Sequence, residues 1–377
     1  MNTEFFIEML GIESTSGRER GFADFLAQRM AGPGRRVETF EVPAMAGDCP
    51  DGCSIPVNLM VSWGEPKVVF CTHLDTVPPY IAPSVEVMED GDMKIKGRGS
   101  CDAKGQIFAM WEACLELERR GCTDFALLLL AGEETGSFGA KAFSAMPLRA
   151  VTAGDWVIIV GEPTDNHMTS ASKGTKSFEV TFEGLPFHSG YPQYGRSAVE
   201  MFNDFVNALR SIVFPKDEIL GDTTWNIGRL VSDNPQNILS ERLSCRVYFR
   251  TTFESDQMVC NVMKNMAGPD ARLRFGRSRA QDGSDMVAKE IAPWQKCMSV
   301  KAFGGDAPTV YQTLEGFPTK PVAFGSDAPQ LKCFDRKILC GPGSILVAHR
   351  PEEHIMLSDL KAAVASYIRM YTCLTGN

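Results

Sequence analysis

Three short apolar runs each end in residues that could hold a metal ion. Residues 68–71 lead into Thr72-His73-Leu74-Asp75, residues 125–131 into Gly132-Glu133-Glu134, and residues 156–160 into Gly161-Glu162. Asp102 lies in a glycine-rich turn, Gly97-Arg98-Gly99-Ser100-Cys101-Asp102-Ala103-Lys104-Gly105, and His349 closes the stretch Gly341-Pro342-Gly343-Ser344-Ile345-Leu346-Val347-Ala348-His349. Gathered in one pocket, Asp75, Asp102, Glu133, Glu134 and Glu162 would carry about five negative charges. Two such charges about 4 Å apart repel by about 4 kcal/mol even at an effective dielectric near 20. Such a cluster needs cations, and imidazole with carboxylate and no central thiolate suits zinc, cobalt or manganese. Taken singly, each residue has an ordinary reading: His73 a structural histidine, Glu133-Glu134 a solvated pair, Glu162 a turn residue before Pro163. What sets them apart is their fixed order, each at a strand end or a glycine-rich turn. In the His73-x-Asp75 pattern, Asp75 can hold the ring tautomer from behind.

The elements that must position these residues are legible in the pattern. The runs at 68–71, 125–130 and 156–160 are short, bulky and apolar without alternation, as strands buried on both faces are. A helix is expected at 106–120, with Ile107, Met110, Ala113, Cys114 and Leu117 on one face. Residues 3–30 read as an amphipathic helix broken near Ser14-Thr15-Ser16-Gly17, and 358–374 as a final helix with Ser358 at its N-cap. Strands alternating with helices imply an α/β domain with a mixed, mostly parallel sheet, whose ligands bind beyond the carboxyl ends of the strands. The middle of the chain differs: strands at 177–182, 224–231, 239–249 and 271–275, with helices at 197–213 and 255–266. This β-α-β-β-α-β order predicts an inserted α+β domain at 175–285, within a catalytic domain formed by 1–174 and 286–377.

Composition narrows the function. The chain has 377 residues, 44% hydrophobic and 23% charged, as ordinary globular proteins do. A net charge of -9 argues against a nucleic-acid partner. The first residues lack a basic start and an apolar run, and no apolar stretch is long enough for a bilayer. No signal peptide and no membrane partner are therefore expected. The 12 cysteines form no CxxC pair and read as reduced thiols, with a cytoplasmic location expected. There is no GxSxG elbow, no HExxH and no Gly-Lys-Ser/Thr phosphate loop. Cys101 has no sequence neighbour that marks a base. Of the five histidines, His167 and His354 read as surface residues.

The stretches His73-Leu74-Asp75-Thr76-Val77-Pro78, Gly97 to Gly105, Glu133-Glu134-Thr135-Gly136, Gly161-Glu162-Pro163-Thr164 and Ala348-His349-Arg350-Pro351-Glu352-Glu353 carry a resemblance. The chain looks like a member of the co-catalytic zinc aminoacylase and carboxypeptidase family. That family includes acetylornithine deacetylase, succinyl-diaminopimelate desuccinylase, aminoacylase-1 and glutamate carboxypeptidase. Within it, Gly341 to Ser344 with Ala348-His349, and Ser326-Asp327-Ala328-Pro329 upstream, are most similar to acetylornithine deacetylases. The Gly-Gly-Thr-Ser-Asp run expected of desuccinylases is absent. After Asp102 stands Ala103, where many relatives carry Asp or Met.

The resemblance implies two divalent metal ions bridged by Asp102, one completed by His73 and Glu162, the other by Glu134 and His349. It implies that Glu133 is the general base, that Asp75 supports His73, and that the peptide after Asp102 is cis. It also makes the insert a lid and dimerisation domain. There His188, in Leu185-Pro186-Phe187-His188-Ser189-Gly190, would complete the partner subunit's site in a homodimer, and Asn237 and Arg250 would meet the substrate carboxylate. The reaction implied is hydrolysis of the amide of an N-acyl-L-amino acid such as N-acetylornithine or N-acetylcitrulline. A dipeptidase or carboxypeptidase, or a desuccinylase, would use the same chemistry in a different pocket. A ligand-binding homologue without catalysis would lack Glu133 or a metal ligand, and none is missing.

Overall fold

A computed structural model describes residues 1–45, 54–146, 156–268, 271–273, 277–279, 285–287 and 291–376. They form two compact units, Met1–Ser170 with Val310–Val322 and Ser326–Asn377, and Ala171–Thr309 with Ala323–Gly325.

The first unit is built on a six-stranded sheet in the order Arg36–Glu41, Val57–Gly64, Asp124–Leu130, Val68–His73, Val157–Val160, Arg336–Leu339. The last four run parallel and the first two antiparallel, so the expected mixed, mostly parallel sheet is present. The central strands are apolar on both faces because both faces are covered. Val68, Phe70, Leu127, Leu129 and Ile159 pack with Phe6, Ile107, Phe108, Leu360 and Tyr367 of the helices Thr3–Leu10, Lys104–Arg119 and Leu357–Thr375. Phe6 stacks on Phe108 at 4.9 Å, and Tyr367 meets Phe70 edge-on at 5.8 Å. Full burial of each such side chain stabilises the fold by about 1.5–3 kcal/mol.

The break expected in residues 3–30 is real: helices Thr3–Leu10 and Arg20–Met30 flank it. The segment between forms a parallel bridge, Thr15 with Thr76, which seats it beside the end of the His73 strand. At the other end of the unit, the last helix starts at Leu357 rather than at an N-cap Ser358. Ser358 lies inside it, and Asp92 supplies the capping acceptor instead, taking the Ser358 amide at 3.2 Å and its hydroxyl at 2.6 Å.

The second unit is a four-stranded antiparallel sheet in the order Thr224–Val231, Arg242–Thr251, Gly174–Glu183, Met298–Gly304. Two helices, Ala198–Ser211 and Asp256–Met266, cover it. Phe205 packs between Phe182 at 5.6 Å and Trp294 at 6.3 Å. The β-α-β-β-α-β order is present, but its last strand is not 271–275. Residues 271–273 are not in a strand, and 274–275 lie outside the described residues. Met298–Gly304 fills that place, with a short pair, Arg277–Arg279 and Asp285–Val287, before it. The unit therefore runs past the boundary expected at 285, to Thr309.

Candidate metal centre

Four neighbouring parallel strands end at one edge of the first unit's sheet, and each hands the chain to a polar turn. Val68–His73 ends in His73 itself, Asp124–Leu130 leads to Glu133 and Glu134, Val157–Val160 to Glu162, and Arg336–Leu339 to the segment that carries His349. Gly132 makes the second turn possible: its φ is +69°, and a Cβ there would stand 2.6 Å from the Met45 sulfur. At Gly341 the constraint is close approach, since a Cβ would lie 2.4 Å from Gln106 Oε1. The peptide between Asp102 and Ala103 is cis.

Three groups of potential ligands gather at this edge: His73 with Asp102 and Glu162; Asp102 with Glu134 and His349; and His73 with Glu133 and Glu134. In each group the ligand atoms all lie within 4.8 Å of one another. Asp102 belongs to the first two. Its Oδ1 is 2.9 Å from His73 Nε2 and its Oδ2 is 3.3 Å from His349 Nε2, which is also 3.0 Å from Glu134 Oε1. One carboxylate thus faces two imidazoles, one through each oxygen.

The electrostatics are those of a site for cations. Burial, with the charges of Asp102 and Glu133, pushes the Glu162 carboxyl well up. Glu133 is pushed up by burial and by Asp327, Glu134 and Asp75, against the pull of His73. Burial alone would depress the His73 imidazole, but hydrogen bonds to Asp102 and Asp75 hold it well above its usual range. Hydrogen bonds to Asp102 and Glu134 raise His349 to about 10. Carboxylates that resist ionising beside imidazoles that hold positive charge mark a place where cations are favoured. Glu162 Oε1 is buried and has no hydrogen-bond partner in the protein. With an imidazole and carboxylate donor set and no thiolate in any of the groups, the residues fit divalent cations.

Asp75 has a second part beside its contact with His73. The short contact to His73 Nδ1 is its main-chain oxygen at 2.9 Å, with the carboxylate at 3.5 Å. The carboxylate also accepts the amides of Glu133 at 3.0 Å and Glu134 at 3.2 Å, and the Ser16 hydroxyl at 2.7 Å. It therefore fixes the turn that aims the glutamate pair. Sequence reasoning gave no role to three supporting residues. Ser16 comes from the segment between the first two helices. Glu19 is fully buried, and burial together with Asp75 raises it to about 8. Asp327 is buried too, and burial lifts it to about 7. Ser16 meets Asp75 across 59 residues, and burial comes to Glu19 and Asp327 from the fold around them, so a local pattern gives none of the three a role.

Cys101 is buried and donates to the Ser344 carbonyl at 3.4 Å, and burial with the Asp102 charge pushes its thiol up, away from nucleophilic use. His167 and His354 are partly accessible, as surface residues are, each held through Nδ1 to a nearby main-chain oxygen.

In the second unit, His188 is exposed on its loop. Its Nδ1 accepts the Gly190 amide at 3.0 Å, and a backbone bridge to Ile238 ties the loop to the segment holding Asn237, whose carbonyl accepts the Ser189 amide. Arg250 is half-buried on the strand Arg242–Thr251, its guanidinium 5.0 Å from the Tyr248 ring centre.

The described residues include no helix long and apolar enough to cross a membrane.

Comparison with known proteins gives a consistent result. The model of "Peptidase family M20/M25/M40" matches residues 69–372. A probable carboxypeptidase of Aspergillus terreus is 31% identical over 388 residues, spanning 97% of this chain and 84% of the relative. A peptidase M20 domain-containing protein of Schizosaccharomyces pombe is 33% identical over 374 residues, spanning 96% of this chain and 82% of the relative. Among solved structures, a tripeptidase of Staphylococcus aureus superposes with a TM-score of 0.76 at 18% identity, covering 100% of this chain and 98% of that one.

Proposed function

The chain belongs to peptidase family M20/M25/M40, hydrolases that act on amide bonds, and from that premise we propose that it hydrolyses an amide whose nitrogen belongs to an amino acid with a free carboxylate. The substrate class is an N-acyl-L-amino acid of the N-acetylornithine or N-acetylcitrulline kind. The observation that carries the reading is the pair of ligand groups that share Asp102, with Glu133 beside them and in neither of the two. Its relatives favour a second reading, release of the C-terminal residue of a short peptide, since one is a probable carboxypeptidase. Both readings place the same bond in the same site and differ only in what the acyl group is.

Two divalent cations, zinc by donor preference with cobalt or manganese as alternatives, would be held by His73, Asp102 and Glu162 and by Asp102, Glu134 and His349. When bound, they supply Lewis-acid polarisation of the scissile carbonyl and acidify a water. Glu133 accepts a proton from that water and returns it to the leaving nitrogen, so that an amine and not an amide anion departs. Asp75 keeps Glu133 aimed by holding the amides of residues 133 and 134. His188 contributes a donor: because Nδ1 accepts from Gly190, the ring proton sits on Nε2, free to meet a developing oxyanion. Arg250, with a planar fork suited to carboxylates, and Asn237 engage the substrate carboxylate.

A panel of N-acetyl amino acids and dipeptides, read by free amino acid release from zinc- and cobalt-loaded protein, separates the two readings. N-acetylornithine turned over at least tenfold faster than any dipeptide supports the deacylase. The reverse order supports the peptidase. Hydrolysis of neither class would sink the proposal.

We further propose a homodimer through the second unit, with His188 serving the partner's site. Among the described residues, the outer strand Thr224–Val231 has one edge unpaired in its sheet and exposes Leu230 and Val231, 54% and 58% accessible. Such an edge invites an isologous contact. Inactive His188→Ala protomers mixed with inactive Glu133→Gln protomers should recover about a quarter of wild-type activity, because half the dimers are mixed and each of these has one complete site. Proven exchange without recovery would place His188 within its own chain's site or outside catalysis.

A further inference from the structure

Glu353 stands four residues after His349, is 1% exposed, and has three donors on its carboxylate. Oε1 accepts the amides of Cys101 and Asp102, both at 3.0 Å, and Oε2 takes Arg98 Nη1 at 2.5 Å. Its main-chain oxygen accepts the Gly97 amide at 3.1 Å. Arg98, itself 3% exposed, also donates Nε to the Pro79 carbonyl at 3.2 Å. Gln106 Nε2 adds a second tie, to the carbonyls of Cys101 at 3.0 Å and Pro342 at 2.9 Å. The turn that presents Asp102 is thus fastened at several points to the segment that presents His349.

The Asp102 amide is one bond from the carbon that carries its side chain. Whatever holds that amide sets the direction in which the carboxylate leaves the backbone. A buried carboxylate accepting two adjacent amides makes charge-assisted bonds, stronger than neutral ones and strict in geometry. We propose that Glu353 is a positioning residue: by holding the amides of Cys101 and Asp102 it aims the Asp102 carboxylate between the two cation positions, and so sets the affinity for both ions. The proposal rests on the reading of Asp102 as the ligand common to two cations. The competing role is that of a partner for buried Arg98, which would matter to folding and not to metal binding.

Two paired substitutions separate these roles while removing the buried charge of Arg98. Arg98→Met with Glu353→Gln keeps a carbonyl for the two amides. Arg98→Met with Glu353→Met keeps the volume and removes the acceptor. Metal-free protein, shown folded by circular dichroism, is titrated calorimetrically with Zn²⁺, and with Co²⁺ read by its visible absorption. The Met pair should lose about 10–100-fold in affinity for both ions, the usual cost of removing a residue that orients a ligand, and its Co²⁺ bands should shift. The Gln pair should stay within about threefold of wild type. A folded Met pair with wild-type affinities and spectrum overturns the proposal. So does an equal loss in both pairs, which would assign the effect to the ion pair. If the Met pair does not fold, Glu353→Gln alone carries the test. With Arg98 present, the Gln carbonyl turns to the guanidinium and its amino group faces the two amides, so the same loss is expected and wild-type affinity overturns the proposal. Wild-type protein that binds fewer than two ions would instead fail the two-cation reading.

Discussion

Glu133→Gln is expected to lower kcat by about 10²–10⁴-fold, the usual contribution of a positioned base, while both cations stay bound. The substitution keeps the size and one oxygen of the side chain and removes its basicity. The backbone there does not depend on the side chain: the residue 133 and 134 amides rest on Asp75, whose carboxylate also takes the Ser16 hydroxyl. The turn should therefore survive the change. Glu133 also has the surroundings a base needs, since burial and the neighbouring charges of Asp327, Glu134 and Asp75 raise its proton affinity. A carboxylate at its ordinary value would be a poor acceptor for a water proton near neutral pH. One observation opposes this assignment, because Glu133 also falls in a ligand group with His73 and Glu134. Metal analysis of the variant decides between the roles. Two ions per chain with turnover lost means a base; loss of an ion means a ligand; and substantial residual activity with both ions present means neither.

How much of this was legible in the sequence follows from where each signal lies. A strand buried on both faces reads as an unbroken apolar run, so the residue that ends it stands out. His73, Glu133, Glu134 and Glu162 were visible for that reason, and the three strands behind them are neighbours in one sheet. Asp102 and His349 sit in glycine-rich turns, which are visible as composition. What the pattern does not encode is pairing across distance. Glu353 meets the Asp102 turn across 251 residues, and Ser16 meets Asp75 across 59. Neither contact leaves a local trace. The mistaken strand at 271–275 has a related cause. Residues 271–273 are in no strand, and the run that pairs with Gly174–Glu183 is Met298–Gly304, which the sequence pattern did not single out. Finding it required knowing which run lies beside that strand. At the last helix, Ser358 carried the right residue type for a cap, yet the acceptor came from Asp92 on a neighbouring element.

Asp102→Ala is expected to weaken both cations together, and this separates a shared ligand from a ligand of one ion. In the first ligand group Asp102 stands with His73 and Glu162, in the second with Glu134 and His349, and its two oxygens face the two imidazoles. Removing it takes one donor from each site and the negative charge between them. The repulsion between two divalent cations would then lack its screen. Affinity for both ions should fall by more than about 100-fold, beyond the 10–100-fold cost of a supporting residue. Turnover should fall by roughly 10²–10⁴-fold, the equivalent of about 3–5 kcal/mol of lost carbonyl polarisation. His73→Ala should instead weaken one ion and leave the other near its wild-type affinity. The fold should tolerate Asp102→Ala, because Glu353 holds the turn through its backbone amides and not through the Asp102 side chain. Calorimetric titration of metal-free variants with Zn²⁺, beside thermal melts of the same samples, reads both effects. A folded Asp102→Ala chain that still binds two ions at wild-type strength would rule out the shared ligand, and loss of a single ion would restrict Asp102 to one site.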